Sequence, residues 1–496
     1  MKPVRRSRRV SRSRLLLGLA LGGAANAASA GDWQVAPSLG VTGNYTDNVF
    51  LASSQTQGAF YNTVVPGVAI RGESRRLQLN ADYAAEQLVF YDQSSLNRLT
   101  HQLQGDLEFT VVPEHLFLDA QGAMFPALRS GSGSLTNRSR NAFRDREGLT
   151  DGDNNRADVT IWSLTPRYEQ RFGTLAKFTA STSFSDTTTG NDRVAGAGRG
   201  NEWLTRLESG KRFERADWGL EFRRRDLESP TPGRDSSLQS LLADFGYQLN
   251  RAFKFTGSVG FEDNDFGSNQ RPRQGPTGSV GFVWTPGIRT SLSASVGQRV
   301  FGMTKSFVLT HRLRHTVFSA NYSEDLRTTS ELLRGRRTVP LTDPFGNPLP
   351  IDSGINPDLG AGIDSLSLTD EVFVDRRFNA GVGYAGRRDQ LSVGVYRLDQ
   401  ESTRSGRHET AVGGTVNWQH ALSARAAAGI SAEYQTRDLE QPQGTTDFYS
   451  VSPYLSRRFG THTNARVSYS WMDSSSSFAG NSFTENAVQV SVTWAF

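Results

Sequence analysis

The chain closes with the stretch Asn486-Ala-Val-Gln-Val-Ser-Val-Thr-Trp-Ala-Phe496, in which apolar residues alternate with small or polar ones. Side chains of an extended strand point alternately to its two faces, so the apolar members of this stretch share one face. The alternation therefore predicts a β-strand with one apolar and one polar face. The apolar face contains Val488, Val490, Val492, Trp494 and Phe496.

A closing strand that ends on phenylalanine resembles the last strand of transmembrane β-barrels in Gram-negative outer membranes. The assembly machinery of that membrane reads such strands, so the resemblance implies that Trp494 and Phe496 form a barrel-assembly signal. Localisation in the outer membrane, with its lipid and lipopolysaccharide as partners, is implied by the same resemblance.

The same alternation recurs within the chain, most regularly over Asn97–Val111 and Leu77–Tyr91. A membrane barrel needs an apolar residue only at every second strand position, which agrees with a hydrophobic fraction of 36% and a mean hydropathy of −0.48. In the first segment the predicted lipid-facing residues include Leu103, Leu107 and Phe109, and the predicted lumen-facing residues include Gln104, Asp106 and Glu108.

The connections between these segments alternate between short and long along the chain. Short periplasmic turns and long external loops are the arrangement of outer-membrane barrels. Counting the segments predicts an all-β fold, a transmembrane antiparallel up-and-down β-barrel of about 22 strands (range roughly 18–22) with both termini in the periplasm. Among the long predicted loops are residues 125–156, 438–447 and 323–371.

The N-terminal segment has the pattern of a secretory signal peptide over residues 1–30. Seven basic residues and no acid occupy positions 1–14, and an apolar run and Ala28-Ser29-Ala30 follow. Removing this segment leaves 48 basic and 50 acidic residues, a formal net charge of −2, so nucleic acid is not expected as a partner. Residues 31–496 are predicted to form a single barrel domain, without room for a plug of the TonB-dependent type.

Charged residues of both signs fall on the predicted inner faces of the strands. Arginine supplies 50 of the 55 basic residues, and its planar guanidinium suits carboxylate and phosphate groups. Such a lumen would suit a polar, hydrated solute, whereas structural ion pairing within the wall is the alternative for half or more of these residues. The candidate lumen-lining residues are Asp82, Glu86, Asp106, Glu108, Arg167, Glu169, Arg171, Glu221, Arg223 and Arg466.

Motifs for catalysis or cofactor binding lack the context that they need. Gly381-Val-Gly383-Tyr-Ala-Gly386 matches the dinucleotide fingerprint by letter, but it falls within a predicted strand and no helix follows. No Gly-x-Ser-x-Gly elbow occurs, and the seven histidines show no metal-binding spacing. We therefore expect no enzyme activity, cofactor or metal site. A hydrolase with a serine–histidine pair on the barrel wall is a remote alternative.

Three stretches carry a family resemblance: Trp33–Leu51, with Tyr45-Thr-Asp-Asn48 inside it, His311–Glu324, and Asp343–Pro348. Together they resemble the PEP-CTERM (exosortase) system-associated outer-membrane proteins, within the wider β-barrel porin group. Members of that group are barrels encoded with exopolysaccharide production and export systems. The resemblance therefore implies a location, a pathway and periplasmic export components as partners, and it supplies no catalytic residues.

We expect an outer-membrane channel for exopolysaccharide or other polar solutes. The alternative is a non-conducting scaffold or adhesion barrel of the same surface-polymer system. A barrel of about 22 strands without a plug would have a wide lumen, which loops or a partner would have to narrow. The long connection 323–371 is the predicted gate, folded into the lumen or over its mouth, and a mobile external loop is the alternative. Its candidate gating residues are Asp343, Pro344, Phe345, Gly346, Asn347 and Pro348.

Overall fold

A computed structural model describes residues 32–128, 156–189, 197–266, 273–334, 369, 371–440, 443–478 and 482–496. These residues form 22 β-strands, one short α-helix, α1, over Thr329–Arg334, and a single 3-10 turn over Ser94–Leu96. The first eleven strands are β1 Asp32–Thr46, β2 Ala59–Glu73, β3 Leu77–Phe90, β4 Arg98–Val112, β5 Leu116–Leu128, β6 Arg156–Phe172, β7 Ala176–Thr189, β8 Gly198–Ser209, β9 Ala216–Glu228, β10 Ser236–Gln248 and β11 Phe253–Asp265. The remaining strands are β12 Gln274–Gly287, β13 Thr290–Arg299, β14 Gly302–Arg312, β15 Thr316–Arg327, β16 Phe373–Ala385, β17 Asp389–Ser402, β18 His408–Ser423, β19 Ala426–Glu440, β20 Gln443–Phe459, β21 Thr463–Ser476 and β22 Phe483–Ala495.

Every strand pairs antiparallel with its neighbours in the chain, and the sheet closes on itself. Ser38–Thr46 of β1 pair with Ala487–Ala495 of β22. Because a closed sheet has no edge, every strand has a hydrogen-bonding partner on both sides. The predicted all-β antiparallel barrel of 22 strands is confirmed. Among the described residues, no helix is long and apolar enough to cross a membrane.

The two ends of the barrel differ in their connections. We call the end that contains both chain termini the terminal end, and the opposite end the loop end. All ten connections at the terminal end are turns of two to six residues. Every connection of more than six residues lies at the loop end, and the longest joins β15 to β16 through residues 328–372.

Several strands extend further toward the loop end than the sequence predicted. β19 reaches Glu440 and β20 begins at Gln443, inside the predicted loop 438–447. β15 likewise runs to Arg327 and shortens the predicted connection 323–371 at its start, whereas β16 begins at Phe373, just beyond the predicted end. The backbone ladder needs no apolar face, so pairing continues through polar segments where side-chain alternation no longer marks a strand.

The outer face of the sheet is apolar and the inner face is polar. Val467 of β21 and Val490 of β22 pair on the outer face, and each is 50% exposed. Their neighbours Arg466 and Ser491 pair on the inner face. Exposed apolar side chains repeated around the whole barrel would be unfavourable in water, and they form the lipid-facing surface of a membrane barrel.

Candidate functional site

The inner faces of β3 to β8 line a polar cavity of about 580 Å³. Its wall is built from alternate residues of adjacent strands, and one further residue, Glu331, comes from α1. Carboxylates, amides and hydroxyls predominate, so the cavity offers many hydrogen-bonding groups to a polar solute. The lining side chains include Gln78, Asn80, Asp106, Glu108, Asp119, Gln121, Ser163, Thr165, Ser183, Glu202 and Glu331.

Arg167 of β6 organises one side of this wall. Its Nε lies 3.2 Å from Asp119 Oδ2, its Nη2 lies 3.8 Å from Glu108 Oε1, and its Nη1 pairs with Glu169. Lys177 Nζ binds the other oxygen of Glu169 at 3.1 Å. Arg167 therefore links carboxylates of β4, β5 and β6, and Glu169 connects Arg167 to Lys177 on β7, so the charges follow the wall as a connected chain.

A second set of charges occupies the inner faces of β8 to β10. Glu221 accepts a hydrogen bond from Arg206 Nη1 at 2.8 Å, and its other carboxylate oxygen lies 3.3 Å from Arg223 Nη2. Arg223 also lies 3.7 Å from Glu202, which lines the cavity. Arg206 extends to Asp244 of β10 at 3.5 Å. Positive and negative groups therefore alternate across the wall.

The other predicted lumen residues have separate surroundings. Asp82 pairs with Arg71 at 2.7 Å on β2 and β3. Glu86 is buried and accepts a hydrogen bond from Gln102 at 3.4 Å. Arg171 is exposed near the terminal end. The guanidinium carbon of Arg466 lies 3.8 Å from the centre of the Tyr454 ring, a cation–π contact.

The segment that follows β15 enters the barrel and packs on the opposite wall. Thr328 begins α1 as a capping box, because Thr328 N donates to Glu331 Oε2 at 3.0 Å and Glu331 N donates to Thr328 Oγ1 at 3.3 Å. The other oxygen of Glu331 pairs with Arg225 on the inner face of β9. The buried Leu333 contacts an apolar cluster that contains Phe125, Val159 and Ile161 of β5 and β6. We call residues 328–333 the lumen segment.

A polar contact also joins two loop-end connections that lie far apart in the sheet order. Arg234, between β9 and β10, pairs with Glu371, between β15 and β16, at 3.2 Å. Burial raises the pKa of Glu371, but hydrogen bonds from Ser402 and Ser405 and the charge of Arg234 outweigh burial and hold that pKa below its usual value. The Glu371 carboxylate is therefore charged near neutral pH, and the connections are held together across the mouth.

The connection between β1 and β2 folds over the inner face at the other side of the barrel. Val49 is 1% exposed and packs in a cluster with Tyr61, Leu88 and Phe90 of β2 and β3. Leu51 packs on inner-face side chains of the last three strands, Phe448, Met472 and Phe483. Leu51 has a left-handed φ of 52°, an uncommon conformation for this residue that the surrounding contacts maintain.

The Tyr45-Thr-Asp-Asn48 element joins the first strand to the last. Asp47 Oδ1 and Oδ2 accept hydrogen bonds from the backbone N and the side-chain Nδ2 of Asn486 at 2.8 and 2.7 Å. Asn48 Nδ2 donates to Thr484 O at 2.9 Å, and Thr46 Oγ1 donates to Glu485 at 2.6 Å. These contacts continue the β1–β22 seam beyond its last paired residues. We call them the seam clasp.

The structure brings some predicted residues together and leaves others apart. Arg167 with Glu169 and Arg223 with Glu221 are ion pairs, whereas Asp119, Lys177, Glu202 and Arg206 belong to the same networks and were not identified from the sequence. These four residues alternate with apolar or small neighbours along their strands, and this alternation is the sequence pattern that could have identified them as inner-face residues. The predicted gating residues 343–348 lie outside the described residues. In the part of the chain that is described, no group of three His, Asp or Glu could hold a metal ion.

The closing residues lie at the terminal end. Trp494 pairs with Leu39 across the seam, and Phe496 N donates to Pro37 O at 3.0 Å while its side chain is 72% exposed. The backbone of the final residue is therefore held by the first strand, and its exposed aromatic side chain is free to contact lipid. The structure describes this geometry, and the role of these residues in assembly stays a prediction.

Comparison with known proteins supports a porin-like outer-membrane barrel. Residues 23–114 match the family described as "Putative beta-barrel porin 2". The FrpB iron transporter from Neisseria meningitidis is similar in fold, with a TM-score of 0.51 and 10% identity over 93% of this chain and 82% of that one. The ferric enterobactin receptor PfeA from Pseudomonas aeruginosa gives 0.50 and 9% identity over 93% and 80%. No curated protein matches the chain. The protein is an outer-membrane β-barrel of the Gram-negative type.

Proposed function

We propose that this barrel is a channel through which polar, hydroxyl-rich solutes cross the outer membrane, with exopolysaccharide as the substrate class. The observation that carries the proposal is the inner wall of β3 to β10, where charges of both signs are paired and a cavity is lined by carboxylates, amides and hydroxyls. A sugar chain exchanges hydrogen bonds with water for hydrogen bonds with such a wall at little net cost. The resemblance to barrels of exopolysaccharide systems supports the same substrate class.

The proposed orientation places the terminal end in the periplasm and the loop end outside the cell. Short turns at one end and longer connections at the other support it, because outer-membrane barrels have their short turns in the periplasm. A solute that is exported would then enter the lumen past the short turns and would meet the lumen segment before it leaves.

The lumen segment is the proposed gate. Its ion pair between Glu331 and Arg225 and its apolar contact through Leu333 hold it against two different parts of the wall. Docked in this way, the segment occupies space that a solute would need. Undocking would widen the lumen without any change in the strands, because these contacts are not part of the sheet.

Conductance in planar bilayers tests the channel proposal. The purified full-length protein is recorded with and without an anionic polysaccharide and, separately, with a neutral dextran of similar size. Ion-conducting steps that the polysaccharide blocks at concentrations where dextran has little effect are expected. A barrel that inserts, resists protease and conducts no ions, also after Glu331→Gln, would contradict a channel.

One observation favours a second function, a non-conducting scaffold or adhesion barrel. Both the lumen segment and the connection between β1 and β2 cover inner-face surface with buried apolar contacts. If these contacts are permanent, the barrel would present its loop end at the cell surface and pass no solute. The same recordings distinguish the two functions, because a scaffold stays silent after the lumen segment is released.

A further inference from the structure

The short turns of the terminal end are strongly basic. Their residues include eleven Lys and Arg side chains against two acids, Glu114 and Glu214. Nine of the eleven lie in six consecutive hairpin turns, from the β8–β9 turn to the β18–β19 turn. We call the eleven residues the basic rim: Arg75, Arg76, Lys211, Arg212, Arg215, Arg251, Arg289, Arg314, Arg387, Arg388 and Arg425.

The arginine-rich composition of the chain does not account for the rim, because the two ends differ. The described connections of the loop end contain five basic and five acidic residues. A bias that acted on the whole chain would enrich both ends. The excess positive charge is therefore a property of the terminal end.

The rim side chains are available to a partner. All eleven are exposed, and none forms a salt bridge with an acid in the described part of the chain. Their backbone is nevertheless fixed, because each turn is bonded to the next hairpin. The carbonyl oxygens of Arg215, Arg289 and Arg388 accept hydrogen bonds at 2.7 Å from residues of the following hairpin. The backbone positions that carry the charges are thus fixed at the mouth.

Exposed apolar side chains stand beside the basic ones in the same turns. Ile288 is fully exposed next to Arg289, Leu249 is 58% exposed two residues before Arg251, and Leu313 is 48% exposed next to Arg314. An apolar side chain beside an arginine suits a membrane interface, where the first enters the acyl region and the second meets the headgroups. A soluble polyanion that entered the lumen would not explain these apolar neighbours.

We propose that the basic rim binds the headgroups of anionic phospholipids in the leaflet next to the terminal end. The guanidinium groups would pair with lipid phosphates in the forked geometry that arginine favours. Several such contacts around the mouth would fix the depth of the barrel in the bilayer and surround its terminal end with anionic lipid. This inference does not depend on whether the barrel conducts.

Tryptophan quenching by brominated lipids tests the proposal on the full-length protein. Trp218, Trp284 and Trp418 lie near the terminal end of their strands and are about two-fifths exposed on the outer wall, so they report on lipid there. Quenching by brominated phosphatidylglycerol is compared with quenching by brominated phosphatidylcholine. At low salt we expect the anionic lipid to be bound about threefold more strongly, and the preference to disappear near 1 M salt.

A matched pair of variants assigns the preference to the rim. One replaces four rim residues, Arg289, Arg314, Arg388 and Arg425, by glutamine. The control replaces four basic residues of the loop end by glutamine: Arg234, Arg273, Arg404 and Arg407. The rim variant should lose the preference, whereas the control should keep it. An equal preference in both variants, or no preference in the unmodified protein, would overturn the proposal.

Two further measurements ensure that the test gives a decision. If the rim variant does not insert, the salt dependence of the unmodified protein decides, and a preference that persists at 1 M salt overturns the proposal. Binding of dextran sulfate is measured in parallel. Loss of polymer binding in the rim variant together with an unchanged lipid preference would assign the rim to a soluble polyanion instead.

Discussion

Replacing Leu333 by alanine is expected to release the lumen segment from the wall. The Leu333 side chain is 1% exposed and packs against Phe125, Val159 and Ile161. Truncating a buried leucine to alanine costs about 2–5 kcal/mol. Because Leu333 contacts the wall from a connection and lies outside the sheet, the cost should fall on docking of the segment and leave barrel stability nearly unchanged. A loss of about 3 kcal/mol lowers the docking equilibrium constant by roughly 150-fold.

Single-channel recording measures this effect. A segment docked more than 99% of the time would become undocked for about half of the time, since a shift of roughly 100-fold is enough to equalise the two states. We expect longer and larger open events. Leu455→Ala is the matched control, because Leu455 is 58% exposed on the outer face and makes no contact with the segment. Open events that are identical in Leu333→Ala and the control, with both proteins folded by heat-modifiability, would refute the gating argument.

Three other predictions concern assembly, facing and pH. Deleting Phe496 should leave unfolded protein in the periplasm, and normal levels of a heat-modifiable outer-membrane band would contradict this. Arginine in place of Leu107, on the outer face, should lower the free energy of unfolding by roughly 2–4 kcal/mol, whereas arginine in place of Glu108, on the inner face, should change it little. Cysteines placed at these two positions should react differently with an impermeant thiol reagent. Equal reaction would contradict the assignment of the two faces. The lowered pKa of Glu371 means that its contact with Arg234 is fully present above the ordinary carboxylate pKa and is lost as pH falls through the lowered value. Channel opening should therefore increase only in acid, and an identical increase in Glu371→Gln would exclude this residue as its source.

The strand number and the barrel closure could be predicted because they follow from local sequence patterns. Alternation with period two marks each strand, and the short turns mark every second connection. The strand ends were less predictable, as in β19 and β20, because ladder hydrogen bonds do not require an apolar face. The predicted strand over the Gly381–Gly386 stretch is also found, because β16 ends at Ala385 and a turn leads into β17, where the dinucleotide motif would require a helix.

The inner organisation of the barrel could be predicted only in part. Thr328-x-x-Glu331 is a local capping signal that the sequence contains. Other contacts join residues that are far apart in the chain, such as Leu333 with Val159 and Asn48 with Thr484. Neither residue type nor spacing predicts these contacts. The pairing of Arg167 with Asp119 is similar, because alternation identifies which residues share a face and leaves their partners undetermined.

The seam clasp makes the finished interior depend on a completed chain. Asp47 accepts its hydrogen bonds from Asn486, and Leu51 packs against Phe483. Residues near the start of the barrel therefore make these contacts only after the last strand has been synthesised. A chain that stops short of β22 would keep two unpaired strand edges and would also leave the β1–β2 connection without its binding surface. Incomplete copies would therefore be open at the seam and would also lack the packing of the β1–β2 connection inside the barrel.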